Sequence, residues 1–177
     1  MTEDNILEKK DSEYKLNIGW IKQLEHELSH IKKNYLADSK NQTESYHRDI
    51  NEYVMKLGPK IKEYIGKDPA CIIGISGGGK LFGIALWKYL LREGTNASFI
   101  EYNTFEESSK DEMGFSKKDV EGKKVILVDI AVHSGATYKA AMNKISKYRN
   151  KFKMKDLKFA VYRDLSGLAD FSEIKMG

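Results

Sequence analysis

One stretch of the sequence constrains the fold more than any other: an apolar run that ends in a carboxylate and leads into a turn of small residues. The run is Val125-Ile126-Leu127-Val128, Asp129 closes it, and the turn is Ser134-Gly135-Ala136-Thr137. A β-branched run of this kind is typical of a strand buried in a parallel sheet. An amphipathic pattern follows, so the turn opens a helix whose first backbone amides face one small volume. We therefore predict an anion site, suited to a phosphate, directly after this strand.

From about residue 68 onward, the sequence alternates between strand-like and helix-like patterns. Apolar runs indicate strands at 70–75, 97–102, 124–129 and 157–162, and helical patterns lie at 81–92 and 136–148. This alternation, with turn residues at the strand ends, predicts an α/β fold with a doubly wound, mostly parallel sheet. Ligands of such sheets bind beyond the carboxyl ends of the strands, which is where the turn after Asp129 falls.

Residues 1–66 are charged and are predicted to be helical, with two apolar stripes. The first stripe lies within 21–35 and the second within 46–65, both at three- and four-residue spacings. We expect a helical N-terminal extension over 1–66 that packs on an α/β domain over 67–177. Gly58-Pro59 should kink or restart the second helix. The first stripe is also compatible with the pairing of two copies in a homodimer.

The overall charge and the cysteine content limit the classes of partner and compartment. The net charge is +4 and the sequence pI is about 8.9, which suits an anionic ligand. No aromatic ladder accompanies the basic residues of 139–158, so a nucleic-acid partner is not expected. Cys71 is the only cysteine, which excludes an internal disulfide and suits a reducing compartment. Because the charged N-terminus has no apolar signal core and no run is long enough to span a bilayer, we expect no membrane partner and a cytoplasmic protein.

A second turn rich in glycine follows the strand predicted at 70–75. Its sequence is Ser76-Gly77-Gly78-Gly79-Lys80, and successive glycines allow a backbone to approach a ligand closely. Gly74 to Lys80 also fits most of the Walker A pattern of nucleotide hydrolases, with Val125 to Asp129 as a Walker B strand. Leu81 stands where that pattern needs a hydroxyl for magnesium, which counts against this alternative. A tight strand-to-helix turn without a ligand is the remaining alternative for the glycine run.

The residues alone leave two further features with more than one interpretation. His133 lies at the lip of the predicted anion site, where an imidazole could exchange a proton with a substrate. A single histidine in a loop is, however, more often a bystander. The polar segment 105–119 is long for a simple connection, which indicates either a lid over the site or a solvated loop.

Together the two turns resemble the signature of type I phosphoribosyltransferases, over about residues 71–171. That family binds phosphoribosyl diphosphate (PRPP) with a hydrophobic strand, two acidic residues and a T-G-x-T-like loop. The turn at 76–80 is similar to the pyrophosphate loop of the 6-oxopurine branch, which includes the hypoxanthine-guanine and xanthine enzymes. The resemblance implies the fold of that family, Mg²⁺ as cofactor, and PRPP and a nucleobase as substrates. It implies transfer of ribose 5-phosphate to a nitrogenous base, preferably a purine, with release of pyrophosphate.

The resemblance also implies roles for individual residues. The contacts to the 5′-phosphate of PRPP map to His133, Ser134, Gly135, Ala136 and Thr137. The contacts to its pyrophosphate map to Ser76, Gly77, Gly78 and Lys80. Asp129 would act in catalysis by binding the ribose hydroxyls or their metal, and His133 would handle the proton of the base. Lys158 and Phe171 resemble the lysine and the aromatic residue that contact the base.

Two departures from the family pattern keep a second function in view. Ile130 stands in place of the second acidic residue, so the ribose and metal site loses one ligand. His133 occupies the position where the oxopurine branch has an aspartate. An active phosphoribosyltransferase is the first expectation. The alternatives are a regulatory protein that binds PRPP or a nucleotide without turnover and, third, a P-loop-like nucleotide hydrolase.

Overall fold

Helices and strands alternate along most of the chain that the computed structural model describes, namely residues 7–10, 13–16, 39–75, 78–102, 114–132 and 135–175. The strands are β1 (Leu7–Lys10), β2 (Glu13–Leu16), β3 (Ala70–Ile75), β4 (Ala97–Tyr102), β5 (Lys124–Val132), β6 (Asp156–Asp164) and β7 (Phe171–Lys175). The helices are α1 (Ser39–Ile65), α2 (Gly78–Arg92), α3 (Lys117–Val120) and α4 (Ala136–Ser146).

Five parallel strands form the central sheet in the order β4-β3-β5-β6-β7. Gly74 in β3 is in register with Glu101 of β4 on one side and with Val128 of β5 on the other. Because all five strands run the same way, their carboxyl ends share one edge of the sheet, here termed the carboxyl edge and formed by Ile75, Tyr102, Val132, Asp164 and Lys175. The prediction of an α/β fold with a doubly wound, mostly parallel sheet is confirmed.

Apolar side chains cover both faces of this sheet. On one face, α1 and α2 pack on Ile72, Ile126 and Val128 in a single buried cluster. On the other face, α4 packs on the intervening side chains, including Leu127 and Phe159. Every residue of β3 is buried, as expected for a β-branched strand at the centre of a parallel sheet. None of the helices in the described ranges is both long and apolar enough to cross a lipid bilayer.

Helix α1 continues without a break through Gly58-Pro59, so the predicted restart of the helix there is wrong. The apolar stripe of this helix spans the pair and is fully buried against the sheet and α2, at Ile50, Tyr53, Val54, Leu57, Ile61 and Ile65. Proline inside a helix costs about 3 kcal/mol. Packing of an amphipathic face outweighs such local costs, and the exposed Pro59 lies on the solvent side of the helix.

The prediction that 1–66 is helical fails near the N-terminus, where β1 and β2 form an antiparallel pair. Their register places Leu7 opposite Leu16 and Glu8 opposite Lys15. Apolar pairs and pairs of opposite charge favour such a ribbon, and short alternating segments do not carry a helical period. The first predicted stripe, within 21–35, lies outside the described residues.

Candidate functional site

The two predicted turns lie side by side at the carboxyl edge. Helix α2 begins at Gly78 after β3, helix α4 begins at Ala136 after β5, and β3 and β5 are neighbours in the sheet. The start of α2 is in direct contact with β5 through Ile130: a Cβ built on Gly78 would lie 1.6 Å from Ile130 Cδ1 and 2.2 Å from its Cγ1. The start of α2 and the end of β5 therefore border one small volume.

The absence of a side chain at Gly79 allows α2 to begin directly on the β5 backbone. A Cβ at this position would lie 2.4 Å from the carbonyl oxygen of Val128 and 3.0 Å from Cα of Asp129. Any other residue would push the helix off the strand. Gly79 thus brings the N-terminal end of α2 beside Asp129, where a helix favours bound anions.

Asp129 lies in β5 with its carboxylate partly buried. Among the described residues, only the amide of Ile130 donates a hydrogen bond to it, at 2.8 Å to Oδ1. Burial raises the pKa of Asp129 to about 6, although that hydrogen bond lowers it. No group of three or more His, Cys, Asp or Glu side chains that could hold a metal exists in the part of the chain that the structure describes. A single carboxylate fits Mg²⁺ only where the substrate supplies most of the oxygen ligands, as is common for this ion.

Gly135, in the second turn, has a left-handed conformation. It has φ +76° and is the residue before the first turn of α4, and its carbonyl oxygen accepts from the amide of Lys139 at 2.8 Å. A non-glycine residue would be strained there. Ala136 and Thr137 follow in the first turn of α4. This geometry leaves the N-terminal end of α4 at the carboxyl edge, as the anion prediction requires. Ser76, Gly77, His133 and Ser134 lie outside the described residues.

Lys80 is in the first turn of α2 and forms an ion pair with Glu101. The distance from Lys80 Nζ to Glu101 Oε2 is 3.0 Å, and both side chains are partly exposed. Since Glu101 is next to the last residue of β4, this pair also lies at the carboxyl edge. Lys80 therefore lies at the carboxyl edge, where its ammonium group binds Glu101 of β4.

Lys158 is not brought to the carboxyl edge, whereas Phe171, which is paired with Ala160, lies one residue before the row of Asp129 and Val161. Lys158 is paired with Ile126 in the neighbouring strand, whereas Asp129 is paired with Val161. Lys158 and Asp129 therefore lie about 10 Å apart along the strand direction. The ammonium group of Lys158 binds Asp170 at 2.9 Å, and the Phe171 ring packs against Tyr64 with centroids 5.5 Å apart. The position of Lys158 gives no support to its predicted contact with a base, and the contact of Phe171 with a base stays a prediction.

A loop between β6 and β7 borders the site and was not anticipated from the sequence. Its anchor is Asp164, only 1% exposed, whose carboxylate accepts hydrogen bonds from the amides of Ser166, Gly167 and Ala169 and the hydroxyl of Ser166, at 2.8–3.1 Å. Burial raises the pKa of Asp164, but these hydrogen bonds together hold it below its usual range. The spacing Asp164-Leu165-Ser166-Gly167 is typical of side-chain-stabilised turns, a signal that could have identified the loop.

The same loop places an apolar side chain against the anion turn. A Cβ on Gly135 would lie 2.7 Å from Leu168 Cδ1, and the amide of Leu165 donates to the carbonyl oxygen of Val132 at 2.9 Å. Leu165 and Leu168 are each 36% exposed, and with Leu91 they are the large apolar side chains that stand out from the surface of the described residues. The site thus has an apolar border next to Gly135.

Helix α1 also reaches this end of the sheet. Tyr162 lies beside Ile130 in the β5–β6 register, between the pairs Asp129–Val161 and Ala131–Arg163. Its hydroxyl donates to Glu52 Oε2 in α1 at 2.7 Å. Ile130 and Tyr162 therefore make the face beneath α1 apolar and aromatic next to Asp129.

Comparison with known proteins supports the fold at the level of structure. No protein-family model matches the chain, and no curated protein matches it significantly in sequence. A hypoxanthine phosphoribosyltransferase from Staphylococcus aureus is 19% identical, with a TM-score of 0.54 over 73% of this chain and 74% of that chain.

A hypoxanthine-guanine phosphoribosyltransferase from Bacillus anthracis is 16% identical, with a TM-score of 0.53 over 73% of this chain and 80% of that chain. A hypoxanthine-guanine-xanthine phosphoribosyltransferase is 18% identical, with a TM-score of 0.52 over 73% of this chain and 74% of that chain. The resemblance found in the sequence is thereby confirmed for the fold: the chain has the fold of the type I phosphoribosyltransferases, as do the 6-oxopurine enzymes that it resembles.

Proposed function

We propose that the protein is a phosphoribosyltransferase that transfers ribose 5-phosphate from PRPP to a nitrogenous base, a purine by preference, and releases pyrophosphate. The observation that carries this proposal is the convergence of two helix N-terminal ends and Asp129 at one edge of the sheet. PRPP carries two phosphate-bearing groups on one sugar. Two anion-binding ends that flank a carboxylate match that pattern of charge.

Each part of the site has a task in this reaction. The amides at the start of α4, from Gly135 to Thr137 with His133 and Ser134 before them, would bind the 5′-phosphate. The start of α2, with Ser76, Gly77, Gly78 and Lys80, would stabilise the charge that develops on the leaving pyrophosphate. Asp129 would orient the ribose hydroxyls, and His133 would take the proton released by the base.

Mg²⁺ fits this site as a substrate-bound ion. Asp129 would hold it together with oxygens of PRPP, and the ion would neutralise charge on the pyrophosphate when bound. The base would rest on the apolar border that Leu165 and Leu168 provide next to the 5′-phosphate turn, because a nucleobase needs apolar contact on its faces.

A second candidate, a regulator that binds PRPP without turnover, is favoured by one contact. Ile130 fills the space against Gly78 where the family has a second acidic residue. An apolar side chain there cannot bind a ribose hydroxyl or a metal. Binding would then persist through the remaining groups while catalysis is lost.

A P-loop hydrolase is disfavoured by the length of the turn. Gly74 lies within β3 and pairs with both neighbouring strands, so only residues 76 and 77 separate β3 from α2. A Walker A loop cradles phosphates with a longer glycine-rich segment.

A pyrophosphate-release assay over a panel of purine and pyrimidine bases, with PRPP and Mg²⁺, tests the proposal. The transferase predicts release with at least one base and loss of release in Asp129→Asn. PRPP binding without release for any base would support the regulator. No PRPP binding, together with ATP hydrolysis abolished by Lys80→Ala, would support the hydrolase.

A further inference from the structure

The side chain of Leu168 lies against Gly135, on the side of the glycine where any other residue would carry its Cβ. A Cβ built there would be 2.7 Å from Leu168 Cδ1, closer than real Cβ atoms approach. Gly135 has φ +76°, and glycine loses more backbone freedom than any other residue when one conformation is fixed. A neighbour packed on this glycine therefore limits the conformations open to the turn before α4, here termed the Gly135 turn.

The loop between β6 and β7 is fixed both before and after Leu168. The amide of Leu165 donates to the carbonyl oxygen of Val132, at the end of β5, at 2.9 Å. The amide of Ala169 donates to the buried carboxylate of Asp164 at 3.1 Å. Ala169 itself is buried in the apolar cluster that α4 covers. The loop is therefore a firm support for Leu168.

This contact lies on the same face of the sheet as the Asp129 side chain. Side chains alternate along a strand, so Asp129 points to the face of Leu127 and, in the neighbouring strand, of Val161. That face is the one that α4 and the loop cover. Leu168 is 36% exposed and belongs to neither buried cluster, so its contact with the Gly135 turn is not a by-product of core packing.

We propose that Leu168 is a positioning residue that holds the Gly135 turn in its phosphate-binding conformation. This inference rests on the proposed function, in which the amides from Gly135 to Thr137 bind the 5′-phosphate. A turn that is held in place before the ligand arrives binds it more tightly, because binding no longer has to order the turn. A leucine side chain has no group that could bind phosphate, so Leu168 acts through Gly135.

Calorimetric titration of PRPP with Mg²⁺, and separately of ribose 5-phosphate, into wild type, Leu168→Ala and Leu168→Met tests the inference. We expect Leu168→Ala to weaken the binding of both ligands about tenfold, because both carry the 5′-phosphate. Neither ligand carries a base, so a lost contact between Leu168 and a base cannot produce this effect. Leu168→Met keeps an apolar side chain of similar size and should bind both ligands nearly as wild type does.

Leu91→Ala is the matched control. Leu91 is also a large exposed apolar side chain, 41% exposed, but it lies near the end of α2, at the opposite edge of the sheet from the candidate site. Its replacement should leave the affinity for both ligands unchanged.

A double-mutant cycle with Gly135→Ala tests the contact itself, with urea unfolding as the measurement. Gly135→Ala alone should lower the unfolding midpoint for two reasons, the left-handed φ and the clash with Leu168. Leu168→Ala removes the clash, so Gly135→Ala should lower the midpoint less in that background.

Equal affinity of wild type and Leu168→Ala for ribose 5-phosphate would overturn the inference. An equal loss of affinity in Leu91→Ala or in Leu168→Met would also overturn it, as would additive effects in the cycle. A wild type that binds PRPP but not ribose 5-phosphate would overturn it too, since the Gly135 turn would then contribute too little affinity. Failure of the wild type to bind PRPP would instead overturn the proposed function, and the inference with it.

Discussion

Ile130 is the residue on which the choice between the two proposed functions depends. It packs on Gly78 at the start of α2, and its side chain offers neither a charge nor a hydrogen bond there. The neighbouring Asp129 is left as the one carboxylate that the described part of this edge contributes from β5. The carboxyl edge is thus apolar directly beside Asp129.

Replacement of Ile130 by Asp should strengthen binding of PRPP with Mg²⁺ by about tenfold. A carboxylate at this position would contact a ribose hydroxyl or the metal, and a hydrogen bond to a charged group is worth roughly 1.5–3 kcal/mol. Stability should fall by about 1–3 kcal/mol as a packed side chain is exchanged for a polar one. Calorimetry and urea unfolding measure the two effects. Ile130→Asn, equal in size and neutral, is the control; equal PRPP affinity of the two variants would contradict this role of charge.

Asp129 should make stability depend on pH in an unusual direction. Burial raises its pKa from 3.8 to about 6, so the folded protein holds this proton more tightly than the unfolded chain. Stability should therefore decline as the pH rises from about 4 to about 6, by up to about 3 kcal/mol. Urea unfolding across this range, for wild type against Asp129→Asn, isolates the effect. If the difference in free energy of unfolding between the two proteins does not vary with pH, this effect of Asp129 is contradicted.

Among the elements, the loop between β6 and β7 depends most on one side chain. Asp164→Ala removes the acceptor of three loop amides, those of Ser166, Gly167 and Ala169, and should lower the free energy of unfolding by about 2–4 kcal/mol. Asp164→Asn keeps one carbonyl acceptor and should lower the free energy of unfolding by a smaller amount. Urea unfolding of the three proteins checks the order, and equal stability of wild type and Asp164→Ala would show that the loop has another anchor.

The elements also show what the sequence could reveal. The β-branched runs of β3 and β5 and the turns after them follow from local pattern, which is why Asp129, Gly78 and Gly135 were predicted at one edge. Strand β5 continues past its predicted end at Asp129 to Val132 because Ala131 and Val132 pair with β6. Strand β7 was missed, since its polar sequence has no strand period and it forms by pairing with β6.

The contacts that complete the site depend on tertiary structure and could not be predicted. Leu168 is distant from Gly135 in sequence, although its side chain lies directly against that glycine. The resemblance implies that Lys158 contacts the base, but the sheet register pairs Lys158 with Ile126, three residues before Asp129. Local sequence determines which residues end a strand, whereas packing between elements determines what stands beside them.

At the scale of the whole molecule, we propose that α1 belongs to the same folding unit as the sheet. Its buried face, which includes Ile50 and Leu57, forms one cluster with α2 and the central strands. A fragment of residues 67–177 would expose that face of the sheet and should not fold cooperatively. Circular dichroism and urea unfolding of the fragment test this. A sharp unfolding transition would instead show that 67–177 is an independent domain.

A PRPP site at the carboxyl edge is tested by calorimetric titration of PRPP, with and without Mg²⁺, into wild type, Asp129→Asn and Asp156→Asn. Asp156 is the matched control because it begins β6 at the opposite edge of the sheet. We predict that wild type and Asp156→Asn bind PRPP alike, more tightly with Mg²⁺, and that Asp129→Asn binds at least about tenfold more weakly. Equal affinity of wild type and Asp129→Asn would contradict a PRPP site at the carboxyl edge.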